Sequence, residues 1–173
     1  MLSRKRFKSS LIRESLKNYS ERKLMQSIVI RPTQVGDLAG IYRCMQQMAS
    51  WLPPESQLKT IEATFLSQPW VCSFVAVEIG EDDSSTTIKG FSSISFETKI
   101  RGGVIGHVED VVVDVEWRRS GVGSALIREL LSEADRRGAY RVFLECSDAN
   151  VAFYRTCGFQ VSGVSMSWTP HGN

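Results

Sequence analysis

Arg118-Arg119-Ser120-Gly121-Val122-Gly123-Ser124 is the stretch on which the fold turns. Val111-Val112-Val113 leads into it as an apolar strand. Leu126, Ile127, Leu130, Leu131 and Ala134 lead out of it at helical spacing, and Gly138 stands where such a helix stops. The segment therefore reads as strand, Gly-rich turn and helix N-terminus. That arrangement is an anion site, because free backbone N–H groups converge there and the helix dipole adds positive potential. Gly121 and Gly123 remove two Cβ atoms where a ligand comes close, and Arg118 and Arg119 add fixed charge. A diphosphate suits the cradle. No Gly-Lys-Ser/Thr follows, and no Gly-x-Gly-x-x-Gly follows the first strand. A nucleotide P-loop and a dinucleotide fold are both disfavoured.

The bulk properties fit one soluble domain: 173 residues, 42% hydrophobic and 23% charged. No apolar run approaches the ~20 residues of a membrane span. Cys44, Cys72, Cys146 and Cys157 form no Cys-x-x-Cys pair and read as reduced thiols, and no metal-ligand spacing is present. The net charge of +2 is uneven. Residues 1–26 carry about +6, leaving the body near −4, which argues against nucleic acid as a partner. This basic start reads as a disordered tail or as an organelle transit peptide. The cytoplasm is the expected compartment, with import through that start as the alternative.

Outward from the turn, the pattern gives a strand over 27–31, a helix capped by Asp37, a break at 51–54 and a helix over 55–66. Strands follow over 71–79, 88–96 and 107–113, then the main helix. A strand over 140–145, a short helix begun by Ser147 and ended by Gly158, and a last strand over 159–166 complete it. The predicted order is β-α-α-β-β-β-α-β-α-β. The fold class is mixed α/β: a central sheet flanked by helices, in a single domain over 27–169.

Three further segments stand around the turn: Gly106-His107-Val108-Glu109-Asp110-Val111, Leu144-Glu145-Cys146-Ser147-Asp148-Ala149-Asn150-Val151, and Ala152-Phe153-Tyr154-Arg155-Thr156-Cys157-Gly158-Phe159. With the Arg-x-x-Gly-x-Gly turn, they resemble the GNAT superfamily of N-acetyltransferases. Within it they resemble the glucosamine-6-phosphate N-acetyltransferases. The resemblance is close over 106–166, loose over 27–105 and absent over 1–26. It implies the GNAT fold with splayed strands, acetyl-CoA as co-substrate, no metal, a phosphosugar acceptor and a homodimer.

Residue by residue, the resemblance implies the following. Arg118, Arg119, Ser120, Gly121, Val122, Gly123 and Ser124 hold the pyrophosphate. Val111, Val112 and Val113 lie along the pantetheine arm, and the N–H of Val111 faces the thioester oxygen. Such a donor is worth roughly 3–4 kcal/mol where one has been removed. Asn150, Arg155 and Thr156 join the coenzyme contacts. Tyr154 is the general acid for the departing thiolate. Glu145 and Glu109 are the candidate bases, not separated by the sequence. Glu109, Asp110, Tyr140, Arg141, Glu145 and Lys99 contact the sugar phosphate, with Arg141 on the phosphate. Strand alternation sends Glu109 and Asp110 to opposite faces.

Two departures from the family pattern stand out. The loop over 99–106 is short. Met166-Ser167-Trp168-Thr169-Pro170 lacks the basic residue that relatives carry for the phosphate. Two alternatives therefore stay open: an acetyltransferase for another amine (a polyamine, an aminoglycoside or a protein) and a non-catalytic acyl-CoA-binding module.

Overall fold

The structure, a computed structural model, describes residues 27–48, 52–80 and 86–168. The basic extension over 1–26 lies outside the described residues. Five strands form one sheet in the order β1 (Ile28–Pro32), β2 (Val71–Ile79), β3 (Thr86–Thr98), β4 (Val104–Val113), β5 (Ala139–Leu144). The first three pairings are antiparallel; β4 with β5 is parallel. The helices are α1 (Leu38–Met45), α2 (Leu58–Leu66), α3 (Val122–Arg136) and α4 (Asp148–Thr156). Only the parallel pair needs a crossover, and α3 supplies it.

Each face of the sheet buries its own apolar set. Val75, Val77, Phe91 and Val112 pack with Ile41 and Cys44 of α1. Ile94 and Val108 pack with Ile127, Leu130 and Ala134 of α3, and Ala76 packs with Val122 and Leu126. The spacing of the main helix is thus its burial pattern: Leu126, Ile127 and Leu130 are all but inaccessible. Truncating any of them to Ala costs about 2–5 kcal/mol.

Two predicted caps work differently from expectation. Asp37 stands at the start of α1 but makes no side-chain cap bond. Its carboxylate instead pairs with both terminal nitrogens of Arg31, at 2.6 and 2.8 Å. Glu62 of α2 supplies the missing acceptor, taking the N–H of Gly36 at 2.9 Å and of Leu38 at 3.1 Å. Ser147 likewise precedes α4 without capping it through its side chain.

The predicted last strand does not form. Residues 159–168 have no regular structure, and Val161, Val164, Met166 and Trp168 are exposed. Among the described residues the outer edge of β5 has no partner. A strand forms only where a neighbour completes its hydrogen bonds, and alternation alone cannot reveal whether one is there.

On α3, Glu133 gathers Arg136 and Arg137, each at 2.6–2.7 Å, and Arg137 reaches on to Cys72 Sγ at 2.8 Å. The Arg136 fork, opposed by burial and helped by Arg137 and Cys72, lowers the Glu133 pKa from 4.5 to about 2. Its folded value lies below the unfolded one. The stabilisation is therefore complete above about pH 5 and lost as pH falls toward about 2. Glu133→Gln removes this part of the acid dependence. Thermal melts of the two proteins across pH 2–6 should converge at the acid end and separate above pH 5.

Candidate functional site

The turn between β4 and α3 is pinned by its own side chains. Ser120 is buried, and its Oγ donates to the carbonyl of Trp117 at 2.5 Å. Arg118 Nε donates to the carbonyl of Val113 at 3.1 Å. Both groups are thereby spent on the turn. Arg119 and Gly121 hold φ of +64° and +96°. Left-handed residues on either side of Ser120 turn successive N–H groups toward one concavity, which is an anion nest. The first i→i−4 bond of the helix runs from Ala125 N to Gly121 O at 3.0 Å. The N–H groups of Val122, Gly123 and Ser124 precede it and have no partner within the helix. Gly121 also keeps the nest clear of any side chain.

The far wall is α4. A Cβ on Gly123 would stand 3.2 Å from Phe153 Cζ and 3.6 Å from Val113 Cγ2. The helix start, the end of β4 and α4 therefore meet at one point. Phe153 belongs to a segment singled out in the sequence, but no pattern shows that its ring closes on Gly123. Tyr154 is next to it, edge-on to Phe153 at 4.9 Å and to Phe159 at 6.0 Å. It shares a packed cluster with Val111. Among the described residues its hydroxyl has no hydrogen-bond partner. Burial first, then the Cys146 and Cys157 thiols, raises its pKa, so the phenol stays protonated.

Strands β4 and β5 part beside this point. Their pairing ends at Val108 with Leu144, while β4 continues to Val113. On its other side, β4 is out of step with β3. Phe91 faces Val112 but Ser93 faces Glu109, so two residues of β4, Asp110 and Val111, oppose one of β3, Ser92. The extra residue is a bulge, with Asp110 at φ +48°. Val108 and Val111 both enter the cluster under α3. Alternation is suspended across Glu109 and Asp110, and the expectation that they face opposite sides fails. Asp110 lines a cavity beneath α1 and α2.

The profile of the acetyltransferase (GNAT) family matches residues 38–159. The chain belongs to the acetyltransferase (GNAT) family. It is 31% identical over 139 residues to glucosamine 6-phosphate N-acetyltransferase 1 of rice, covering 79% of this chain and 84% of that protein. It is 30% identical over 152 residues to glucosamine 6-phosphate N-acetyltransferase 1 of Dictyostelium discoideum, covering 81% and 89%. The crystal structure of the Arabidopsis thaliana glucosamine-6-phosphate N-acetyltransferase superposes with a TM-score of 0.71 at 25% identity, over 83% of this chain and 98% of that one.

In this GNAT chain the open side of the sheet lies along β5. A cavity of about 790 Å³ is lined by Arg141, Phe143, Glu145, Cys146, Tyr154 and Arg155, with residues from the irregular C-terminal stretch. Glu145 accepts a hydrogen bond from the Ser165 hydroxyl. Arg141 lies over the Phe143 ring at 5.7 Å, and His107 stacks on the same ring at 5.6 Å. The structure thus brings Tyr154, Glu145, Arg141 and Arg155 around one cavity.

Lys99 and Tyr140 are not part of that group. Lys99 pairs with Glu97 at 2.7 Å beside the β3–β4 turn. Tyr140 stands at the start of β5, five residues before Glu145, or roughly 16 Å along an extended strand. Thr156 Oγ1 donates to the carbonyl of Phe153 at 2.6 Å and is spent within α4. Asn150 and Arg155 are exposed on that helix. Among the described residues no cluster of three potential metal ligands occurs, and no helix is long and apolar enough to cross a membrane.

Proposed function

We propose that this chain transfers the acetyl group of acetyl-CoA to the amine of glucosamine 6-phosphate in a ternary complex. One observation carries the transfer: the nest at Gly121, the parted end of β4 and the unpartnered Tyr154 hydroxyl converge across Gly123 and Phe153. The substrate rests on the relatives named above. A diphosphate fits the nest, since it offers free amides, no side chain at Gly121 and no carboxylate from Arg118 to Ser124.

The nest and the Arg119 side chain hold the coenzyme's phosphates, and the strand beyond Val108 takes its arm. Glu145 or Glu109 accepts the proton of the sugar ammonium. The nitrogen then bonds to the acetyl carbon, gives its second proton to water, and the carbon–sulfur bond breaks. The Val111 N–H stabilises the oxyanion. Tyr154 donates to the departing sulfur, and its raised pKa keeps a proton there to give. Arg141, with Arg155 in the same lining, meets the phosphate in place of a C-terminal base.

The partner is a second copy. The free edge of β5 and eight exposed residues at 161–168, enough to span the six of β5, complement each other between two chains. Lys99 and Tyr140 then serve the partner's site. Sedimentation equilibrium should give a dimer at micromolar concentration; a monomer at that concentration refutes the arrangement. The free thiols at all four cysteines fit a reducing compartment such as the cytoplasm, which fractionation of the tagged full chain checks.

Thiol release from acetyl-CoA with glucosamine 6-phosphate, glucosamine, spermidine or a peptide tests the substrate. Turnover with the phosphosugar should exceed that with unphosphorylated glucosamine at least a hundredfold in kcat/KM. Equal turnover removes the phosphosugar assignment and favours another amine.

A further inference from the structure

Arg141 is the cation that meets the phosphate in the reading above, and no carboxylate holds its guanidinium. Among the described residues that group makes no hydrogen bond and no ion pair. Glu145 and Asp148 line the same cavity, yet neither pairs with it, and Glu145 accepts from Ser165 instead. Its one specific contact among the described residues is aromatic: the guanidinium carbon lies over the Phe143 ring, 5.7 Å from the centroid. The fork of N–H donors is therefore unspent.

The strands explain the contact. Arg141 and Phe143 are two residues apart on β5 and share a face. Val142 and Leu144 belong to the cluster under α3, so Arg141 and Phe143 stand on the face that α3 leaves uncovered. In the parallel register His107 of β4 is the neighbour of Phe143, and the two rings stack at 5.6 Å and 21°. His107 Nε2 is in turn 3.8 Å from Glu97, a carboxylate that Lys99 also holds. A row thus crosses three strands, from Glu97 through His107 and Phe143 to Arg141. The phenyl ring is braced from β4.

An arginine that binds phosphate loses rotamer freedom, and one already lying on an aromatic ring has lost part of it beforehand. The ring attracts the cation through its face and leaves the N–H groups to the ligand, so a two-pronged phosphate contact is still available. Preorganisation of this kind matters most where cations are few, and Met166-Ser167-Trp168-Thr169-Pro170 brings none.

We propose that Phe143 is a positioning residue for the acceptor's phosphate, acting through Arg141 by holding the guanidinium over the ring. The proposal rests on the phosphosugar reading above.

Binding is measured by calorimetry on the full chain saturated with CoA, so that the result does not depend on turnover. Phe143→Leu keeps an apolar side chain on the strand and removes the ring. It should raise the Kd for glucosamine 6-phosphate about fivefold or more. Phe143→Tyr keeps the ring and should stay within about twofold of the wild type. In an Arg141→Ala background, Phe143→Leu should add less than about twofold, because the group it positions is already gone. The Kd of Phe143→Leu for acetyl-CoA should stay within about twofold, which a general loosening of the fold would not allow. In turnover, its KM for the phosphosugar should rise and its kcat should not fall.

An unchanged Kd in Phe143→Leu, or the same loss in the Arg141→Ala background as in the wild type, overturns the positioning role and leaves the phosphosugar reading standing. Tight binding of glucosamine 6-phosphate that responds to Phe143→Leu, with no thiol release from acetyl-CoA, refutes acetyl transfer and upholds the role. No binding of glucosamine 6-phosphate by the wild type overturns both.

Discussion

Gly121→Val should abolish the stabilisation that acetyl-CoA gives this chain. Gly121 sits at φ +96°, where a β-branched side chain is strained, and it borders the nest formed with Arg119. The strain alone costs about 1–3 kcal/mol. In a chain of this length that lowers the Tm of the free protein by roughly 2–12 °C. The larger effect is on binding. The added methyls occupy the space that the phosphates need beside the Val122, Gly123 and Ser124 amides, and the displaced contacts are charge-assisted. Calorimetric titration should show the Kd for acetyl-CoA raised at least a hundredfold. Glycine-to-alanine at Gly138, which also has positive φ but lies at the far end of α3, is the control. It should destabilise the fold and leave the Kd within threefold. An unchanged Kd for Gly121→Val shows that the phosphates are held elsewhere.

Tyr154→Phe should lower kcat about a hundredfold and leave KM for both substrates within about threefold. The hydroxyl has no partner within the described residues, so its loss leaves no orphaned group and the aromatic contacts with Phe153 and Phe159 persist. Folding should therefore be unaffected, and circular dichroism melts should coincide. The pH profile carries the diagnosis. The phenol's pKa is raised, so the wild type should keep its rate through pH 9 and lose it only above the ordinary tyrosine range. The variant should lack that alkaline limb. A variant with wild-type kcat under single-turnover conditions removes the phenol from the chemistry.

The sequence made the centre of this molecule readable because the centre is local. A strand, a turn with two glycines and an amphipathic helix are consecutive in the chain. Their geometry follows from φ at Gly121 and from the spacing of Leu126, Ile127 and Leu130. Tyr154 is equally visible as a motif, but its place in one packed cluster with Val111 depends on how α4 folds back onto the core, which no periodicity encodes. Three readings failed for one shared reason, that each depended on a distant partner. Asp37 gave up its cap to Arg31, and Glu62, from another helix, took it over. The stretch over 159–166 has strand-like alternation but pairs with no strand among the described residues. Glu109 and Asp110 lose their alternation because β3 holds one residue fewer than β4 between the same two rungs. Alternation also says nothing about cavities, so the chamber beneath α1 was out of reach.

The bulge makes the length of β4, and not only its composition, a functional quantity. Upstream of it, Gly106 and Val108 are in phase with β5; downstream, Val112 is in phase with α1. Removing Asp110 would take out the extra residue: Val111 would stand opposite Ser92, and β4 would pair with β3 as a regular ladder. Val111 and Val112 would keep the faces they have now, towards α3 and α1, and both cores would survive the deletion. A deletion elsewhere in β4 would instead turn every later side chain to the wrong face. The extra residue therefore adds a carboxylate beside the cavity under α1 without displacing the packing on either side of the sheet.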